Sequence, residues 1–216
     1  MRNPSEDKIK IVLIRHGATA TNRDKRYCGK RSDEDLSEEG IKVLNEMKEK
    51  NAYPSASFLF VSPKKRAKST AKIIYPELEQ NIIEEFDEID FGDFEGKNYE
   101  DLKDDPEYQS WIDSNGENAF PHGESKNEYC KRAAGGFLKA MDIFSKRADE
   151  NADDLTKDPR RFADIAIVAH GGTIMALLST FAGMNYYNCM VSNAKGYIVE
   201  IAPGYPDSMK VTGIIE

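Results

Sequence analysis

Lys8-Ile9-Lys10-Ile11-Val12-Leu13-Ile14 runs straight into Arg15-His16-Gly17, and the fold can be read outward from that junction. The run begins by alternating and then becomes continuously apolar and β-branched, the pattern of a strand buried on both faces. It stops at Arg15-His16-Gly17. Far along the chain, Asp164 to Ala169 has the same character and stops in the same way, at His170-Gly171-Gly172. Ser57 to Val61 reads as a further buried strand, closed by Ser62-Pro63. A strand buried on both faces needs helices above and below it, so helices are expected between these runs.

The intervening stretches supply them. After a loop rich in Asn, Asp, Gly and Arg, Ser37 is the expected N-cap of a helix carrying Ile41, Leu44 and Met47 on one stripe. Lys64 to Ile74 reads as a second helix. Tyr99 to Asp113 fits short polar helices broken at Pro106, and Glu124 to about Asp149 places Tyr129, Ala133, Phe137, Met141 and Phe144 at helical spacing. The Gly135-Gly136 pair in that helix marks a point of close packing. His170-Gly171-Gly172 is expected as an exit turn before a helix from Thr173 to Ala182. A strand is expected near Asn81 to Glu85, then an ordered acidic and aromatic loop from Phe86 to Gly96, with terminal strands at Gly196 to Ala202 and Lys210 to Ile215. The alternation predicts an α/β fold: a three-layer α/β/α sandwich with a mostly parallel central sheet, in a single domain spanning residues 1–216. Residues 97–121 read as a lid or insertion.

Composition bounds what such a domain does. Across 216 residues, 30 Lys and Arg against 38 Asp and Glu give a net charge of −8, with 39% hydrophobic and 31% charged residues. A chain of this length can bury a core without disulfides or structural metals. Cys28, Cys130 and Cys189 form no C-x-x-C pair and have no ligand partners at metal spacing, so reduced, buried thiols and no metal site are expected. The acidic balance offers no general attraction for nucleic acid or an anionic membrane surface. An anionic ligand therefore needs a local cluster of cations. Met1 to Asp7 is polar, and no run approaches the ~20 apolar residues of a membrane span, so a cytoplasmic location is expected.

Two of the three histidines, His16 and His170, each follow a buried strand and precede a glycine. Ligands of open parallel sheets bind at the carboxyl ends of the strands, so both rings should arrive at one edge. Arg15, Arg66, Asn22, Arg23 and Arg26 are candidates for an anion pocket around them. A guanidinium presents a planar fork of donors that matches phosphate oxygens, and Arg15 ends a buried strand, where an unpaired charge is expensive. Lys64 and Lys65, like Arg23 and Arg26 taken singly, read as solvated. Glu88 sits among Glu84, Glu85, Asp87 and Asp90, where like charge would raise its pKa, the other four being expected to face water. His122, in the turn Phe120-Pro121-His122-Gly123, has two readings, a contact to substrate and, favoured, an exposed turn histidine.

Arg15-His16-Gly17-Ala18-Thr19-Ala20-Thr21-Asn22, Ser62-Pro63-x-x-Arg66-Ala67, Glu88-x-x-Phe91-Gly92-x-x-Glu95-Gly96, Gly123-Glu124-Ser125 and Ala169-His170-Gly171-Gly172 occur in an order that resembles the histidine phosphatase superfamily. The resemblance runs from residue 8 to about 182 and implies a phosphoglycerate mutase-like fold. It implies that His16 takes the phosphoryl group, that Arg15, Arg66, His170 and Gly171 bind its oxygens with Asn22 close by, and that Glu88 protonates the leaving oxygen. Glu95 and Glu124 match positions taken as structural. No metal or cofactor is implied, and the partner is a small phosphate ester; no pattern fixes an oligomeric state. Mutases of the family carry paired arginines after the acid loop, where residues 97–121 contain none, and asparagine where this chain has Gly172. The resemblance thus favours a phosphomonoesterase, with a cofactor-dependent phosphoglycerate mutase as the alternative. A non-catalytic phospho-ligand module would be expected to have lost His16, His170 or Glu88.

Overall fold

In a computed structural model, which describes residues 8–150 and 164–216, six strands form one sheet in the order β3-β2-β4-β1-β5-β6. These are β1 (Ile9–Arg15), β2 (Phe58–Val61), β3 (Gln80–Ile82), β4 (Asp164–Ala169), β5 (Gly196–Ala202) and β6 (Tyr205–Ile215). The pairings from β3 through β1 are parallel, and β5 and β6 add an antiparallel edge. Alternate residues of each central strand enter opposite cores, as the pleat dictates. Ile11, Leu13, Phe60 and Ile167 face the side covered by α6 (Lys126–Glu150) and α7 (Gly171–Phe181). Val12, Ile14, Leu59 and Val168 face the side covered by α2 (Glu38–Glu49) and α3 (Lys65–Ile74). Both faces of the strands are buried, hence their uninterrupted apolar runs.

Several boundaries differ from the sequence reading, each for a local reason. Ser37 does cap α2, its side chain accepting the Gly40 N–H, but Ile41 is 40% exposed while Leu44 and Met47 are buried. The loop after β1 contains a single helical turn, α1 (Ala20–Arg23), held by a capping box between Thr19 and Asn22. The short helices expected across Tyr99 to Asp113 are present and separate at Pro106, which opens the second of them: α4 (Tyr99–Leu102) ends, and α5 (Pro106–Asp113) begins at the proline with Asp105 as cap. A first-turn proline loses no helical hydrogen bond. β3 is shorter than expected because the chain turns into a 3₁₀ helix at Glu84–Phe86, burying Ile83 and Phe86. Gly136 is the member of the glycine pair that marks close packing: a Cβ there would lie 2.7 Å from Cβ of Glu85, whereas Gly135 faces open space. β6 starts at Tyr205, five residues before the expected Lys210.

A third core cluster lies under residues 97–121, where Phe94, Leu102, Tyr108 and Phe120 pack on Tyr129 and Ala133 of α6. All three cysteines are free; Cys28 and Cys189 are buried and Cys130 is half-buried. Burial pushes the Cys28 thiol up to about 12. Among the described residues, no helix is long and apolar enough to cross a membrane.

Candidate active site

The parallel register sets Arg15 opposite Ala169 and Val61 opposite Val168, so three neighbouring strands end together. The His16 N–H donates to the Ala169 carbonyl at 2.9 Å, and the Ser62 N–H donates to the Val168 carbonyl at 3.0 Å. His16, Ser62 and His170 therefore emerge side by side at the carboxyl edge of the sheet. The two imidazole centroids are 5.1 Å apart with the rings at 67°. His170 is the N-cap of α7, which begins at Gly171, so the expected exit turn is already the first turn of that helix.

Hydrogen bonds hold both rings, and that of His16 fixes its tautomer. Nδ1 of His16 lies 2.7 Å from the Gly17 carbonyl, which can only accept, so Nδ1 carries the proton and Nε2 keeps its lone pair. Gly17 is held in turn, its N–H donating to Thr70 Oγ1 at 2.9 Å. Nε2 of His170 lies 2.6 Å from Ser62 Oγ, and that oxygen also takes the Lys64 N–H at 3.4 Å. Among the described residues Nε2 of His170 is the one acceptor within reach of the Ser62 hydroxyl, and with that proton directed to Nε2, Nδ1 of His170 is an N–H donor. Nδ1 is buried and has no partner among the described residues, nor has Nε of Arg15 or Nε of Arg66. Each such group costs about 1–3 kcal/mol unless something accepts from it. The rest of each guanidinium is anchored: Arg15 donates to the Val191 carbonyl at 2.7 Å, and Arg66 to those of Ser32 at 2.9 Å and Gly29 at 3.2 Å.

Burial, with the positive fields of Arg66 and Arg15, holds His16 well below the ordinary imidazole range; His170 is lowered by burial, Arg66 and His16. Glu88 is shifted the other way. Burial raises its carboxyl pKa against hydrogen bonds and the nearby guanidiniums that lower it. Burial, not the repulsion among neighbouring acids expected from the sequence, is the cause. Oε1 of Glu88 accepts from the Ile89 N–H at 3.0 Å and from the Tyr129 hydroxyl at 2.9 Å. With two donors on Oε1, a carboxyl proton belongs on Oε2. A Cβ at Gly172 would lie 2.5 Å from Oε1, so this position must be glycine for the acid to sit where it does.

The acid loop is clamped from α6. Arg132 donates to the carbonyls of Glu85 (2.9 Å), Asp87 (3.0 Å) and Glu88 (3.2 Å), and to both carboxylate oxygens of Glu124. Glu124 also accepts the Asp90 N–H at 2.9 Å. Glu95 accepts from the Gly29 and Arg31 N–H groups and from the Ser32 hydroxyl. Tyr129, Ser62 and Arg132 were not singled out from sequence. Tyr129 sits on the expected apolar stripe of α6, and only the need of a fully buried hydroxyl for partners distinguishes it.

Several expected placements differ. Arg23 pairs with its exposed neighbour Asp24, and Arg26 binds Asp101 and the Gly96 carbonyl; both are solvated, as each reads singly, and the pocket they were candidates for does not include them. Lys64 is mostly buried instead of solvated and pairs with Asp87 at 3.4 Å, which is likewise withdrawn from water. Asn22 accepts at Oδ1 from Asn193, whose Nδ2 also donates to the His16 carbonyl at 3.1 Å, so it braces the backbone of the histidine. His122 does not line the cavity at the strand ends. Its side chain is 81% exposed and paired with Asp93 at 2.8 Å, because a left-handed backbone, φ 53°, turns it outward. The cavity, of about 320 Å³, is bordered by Arg15, Glu88, Gly171 and Gly172, and residues 97–121 contribute Trp111, Gly116 and Phe120 to its wall. Among the described residues, no group of three His, Cys, Asp or Glu side chains is placed to hold a metal ion.

Comparison with known proteins gives the family. The uncharacterised phosphatase PhoE of Bacillus subtilis is 31% identical over 175 residues, 80% of this chain and 77% of that protein. The adenosylcobalamin/α-ribazole phosphatase of Escherichia coli K12 is 28% identical over 180 residues, covering 82% and 80%. The crystal structure of the α-ribazole phosphatase from Shigella flexneri superposes with a TM-score of 0.73 over 96% of each chain at 22% identity, which speaks to the fold. The family model of the histidine phosphatase superfamily, branch 1, matches residues 11–212, and the chain belongs to that superfamily as an enzyme of the phosphatase kind.

Proposed function

We propose that the protein is a metal-independent phosphomonoesterase that passes a phosphoryl group from a small phosphorylated metabolite to His16 and then to water. The carrying observation is the bare Nε2 of His16 beside three buried donors that lack acceptors, on Arg15, Arg66 and His170. A dianionic phosphoryl group supplies those acceptors. In the first step Nε2 of His16 forms a bond to phosphorus as the ester P–O bond breaks. Glu88 delivers its proton to the departing oxygen, so a neutral alcohol leaves. In the second step Glu88, now a carboxylate, takes a proton from water as the water oxygen bonds to phosphorus. The P–N bond breaks, inorganic phosphate leaves and both side chains regain their starting states. Covalent capture divides one difficult displacement into two easier ones. The two guanidiniums and the His170 N–H meet charge that spreads over the equatorial oxygens during transfer, a role that elsewhere falls to metal ions.

The pKa directions suit these roles. A histidine held low stays a nucleophile in acid, and a carboxyl held high stays an acid toward neutrality, so one pH window holds both forms. The test is phosphate release from a panel of sugar phosphates, nucleotides and phosphoglycerates, with and without EDTA, by the wild type and His16→Ala. Release should survive EDTA and fall on the order of 10⁴-fold in the variant. Activity that survives the substitution removes His16 from the chemistry. Isomerisation of 3-phosphoglycerate without phosphate release would instead identify a mutase.

A further inference from the structure

We infer that the leaving-group side of the cavity is built for an alcohol carrying a flat, uncharged ring, and not for a sugar or a second anion; this rests on the phosphomonoesterase reading for the position of the ester. Beyond Arg15 and Glu88 the lining is largely aromatic, in two clusters. In the first, Tyr27 and Phe91 have ring centroids 4.9 Å apart, Phe91 and Phe120 5.0 Å, and Phe120 and Trp111 are stacked at 4.9 Å. In the second, Tyr186 and Tyr187 meet edge to face at 5.1 Å. Such walls attract the faces and edges of another ring. The neutral hydrogen-bonding side chains on them are the hydroxyls of Tyr27, Tyr186 and Tyr187 and Nε1 of Trp111, which is buried with no partner among the described residues, fewer than a hydroxylated sugar needs.

The charge on the wall points the same way. Besides Arg15, the cation among the lining residues is Lys126. Its ammonium is ion-paired with Glu117 and lies 5.5 Å from the Tyr187 centroid and 5.8 Å from that of Tyr186. A carboxylate or second phosphate on the leaving group would have to displace Glu117 or remain unpaired against apolar rings, which is costly. The acidic side chains of residues 97–121 suggested no such surface. None of them lines the cavity, Glu117 reaching its wall only through Lys126, while Trp111 and Phe120 do line it. The Tyr187 hydroxyl donates to the Asn115 carbonyl at 3.2 Å and so ties this segment over the second cluster.

The test compares 2-phenylethyl phosphate with ethyl phosphate, which share the phosphoryl group and a primary alkoxide and differ in the ring. kcat/KM should be at least about tenfold higher for the ring ester, with 3-phosphoglycerate and glucose 6-phosphate below both. Trp111→Ala should narrow that ratio. A readout free of catalysis is available because Trp111 is the chain's single tryptophan. Its emission in the wild-type protein should change saturably with 2-phenylethyl phosphate and with 2-phenylethanol plus inorganic phosphate, and far less with ethyl phosphate. Equal kcat/KM for the two esters, or emission that does not respond to the ring, overturns the inference while leaving phosphatase action intact. A saturable emission change with no ester hydrolysed sustains the ring subsite and overturns the phosphatase reading instead. Should Trp111→Ala fail to fold, the wild-type ester ratio and emission titration still decide.

Discussion

The two halves of the site are made differently. The half around His16, buried behind Arg15 and Gly171 of the cavity wall, comes from the ends of three parallel strands and the start of α7; its imidazoles are held by hydrogen bonds and its guanidiniums are pinned to backbone carbonyls. The other half comes from loops, a segment of short helices and a 3₁₀ turn, and its rings touch mainly one another. Strand ends set positions closely and leave little freedom in what they bind, as preorganised stabilisation of charge requires. A wall of rings recognises shape and apolar area and tolerates variation. The chemistry is therefore expected to be intolerant of change on one side and the choice of alcohol adjustable on the other.

After loss of His16 itself, the sharpest way to break that contrast is Glu88→Gln. Phosphate release from ethyl phosphate should fall about 10²–10⁴-fold, and from p-nitrophenyl phosphate far less, because that leaving group needs no proton. With Glu88 as proposed acid and His16 as proposed nucleophile, the alkaline limb of the wild-type kcat/KM should lie above the ordinary carboxyl range, where Glu88 loses its proton, and the acid limb below the ordinary imidazole range, where His16 gains one. The variant should keep the acid limb and lose the alkaline one. Equal losses on both esters would remove Glu88 as proton donor.

Arg132→Lys tests the clamp on the acid loop. An ammonium can stay near Glu124 but cannot span three carbonyls. kcat for poor leaving groups should drop about tenfold while inhibition by inorganic phosphate stays within about twofold, since the phosphoryl half does not touch Arg132. A large loss of phosphate affinity would show that the halves are not separable. The smallest effect is expected at His122. His122→Gln should leave kcat/KM within about twofold, as for a surface substitution. Asp93 raises the His122 pKa, so any stabilisation by the pair is present below the unfolded imidazole pKa and lost as pH rises through the higher folded value. A thermal melt series across that range measures it.

The charged half was legible in the sequence and the aromatic half was not, for a physical reason. Arg15, His16 and His170 sit at strand ends, and a continuous apolar run followed by a polar residue and glycine locates such an end without knowledge of the neighbours. Glu88 was legible as an acid, but the cause of its raised pKa depends on what covers it, and Tyr129 and Gly172 come from distant stretches. Lys64 shows the same limit: a lysine at a helix start reads as solvated until a partner such as Asp87 is seen to enclose it. Trp111 and Phe120 lie in a segment whose acidic residues dominate its composition, and which side chains turn inward is a property of the folded segment alone. His122 shows a choice the sequence leaves open: the structure has the exposed turn histidine and not the substrate contact, at a left-handed φ of 53°.

The surroundings of His16 also bear on how long a covalent intermediate would last. A phosphoryl group on Nε2, with Nδ1 still bonded to the Gly17 carbonyl, would make the ring cationic. Burial works against that ring cation as it works against a proton, but the phosphoryl oxygens would bring the acceptors that Arg15 and Arg66 lack. The lifetime of a phosphoenzyme would therefore be set by a disfavoured ring cation on one side of the P–N bond and well-held oxygens on the other, a balance that rapid quenching of a single turnover reads directly.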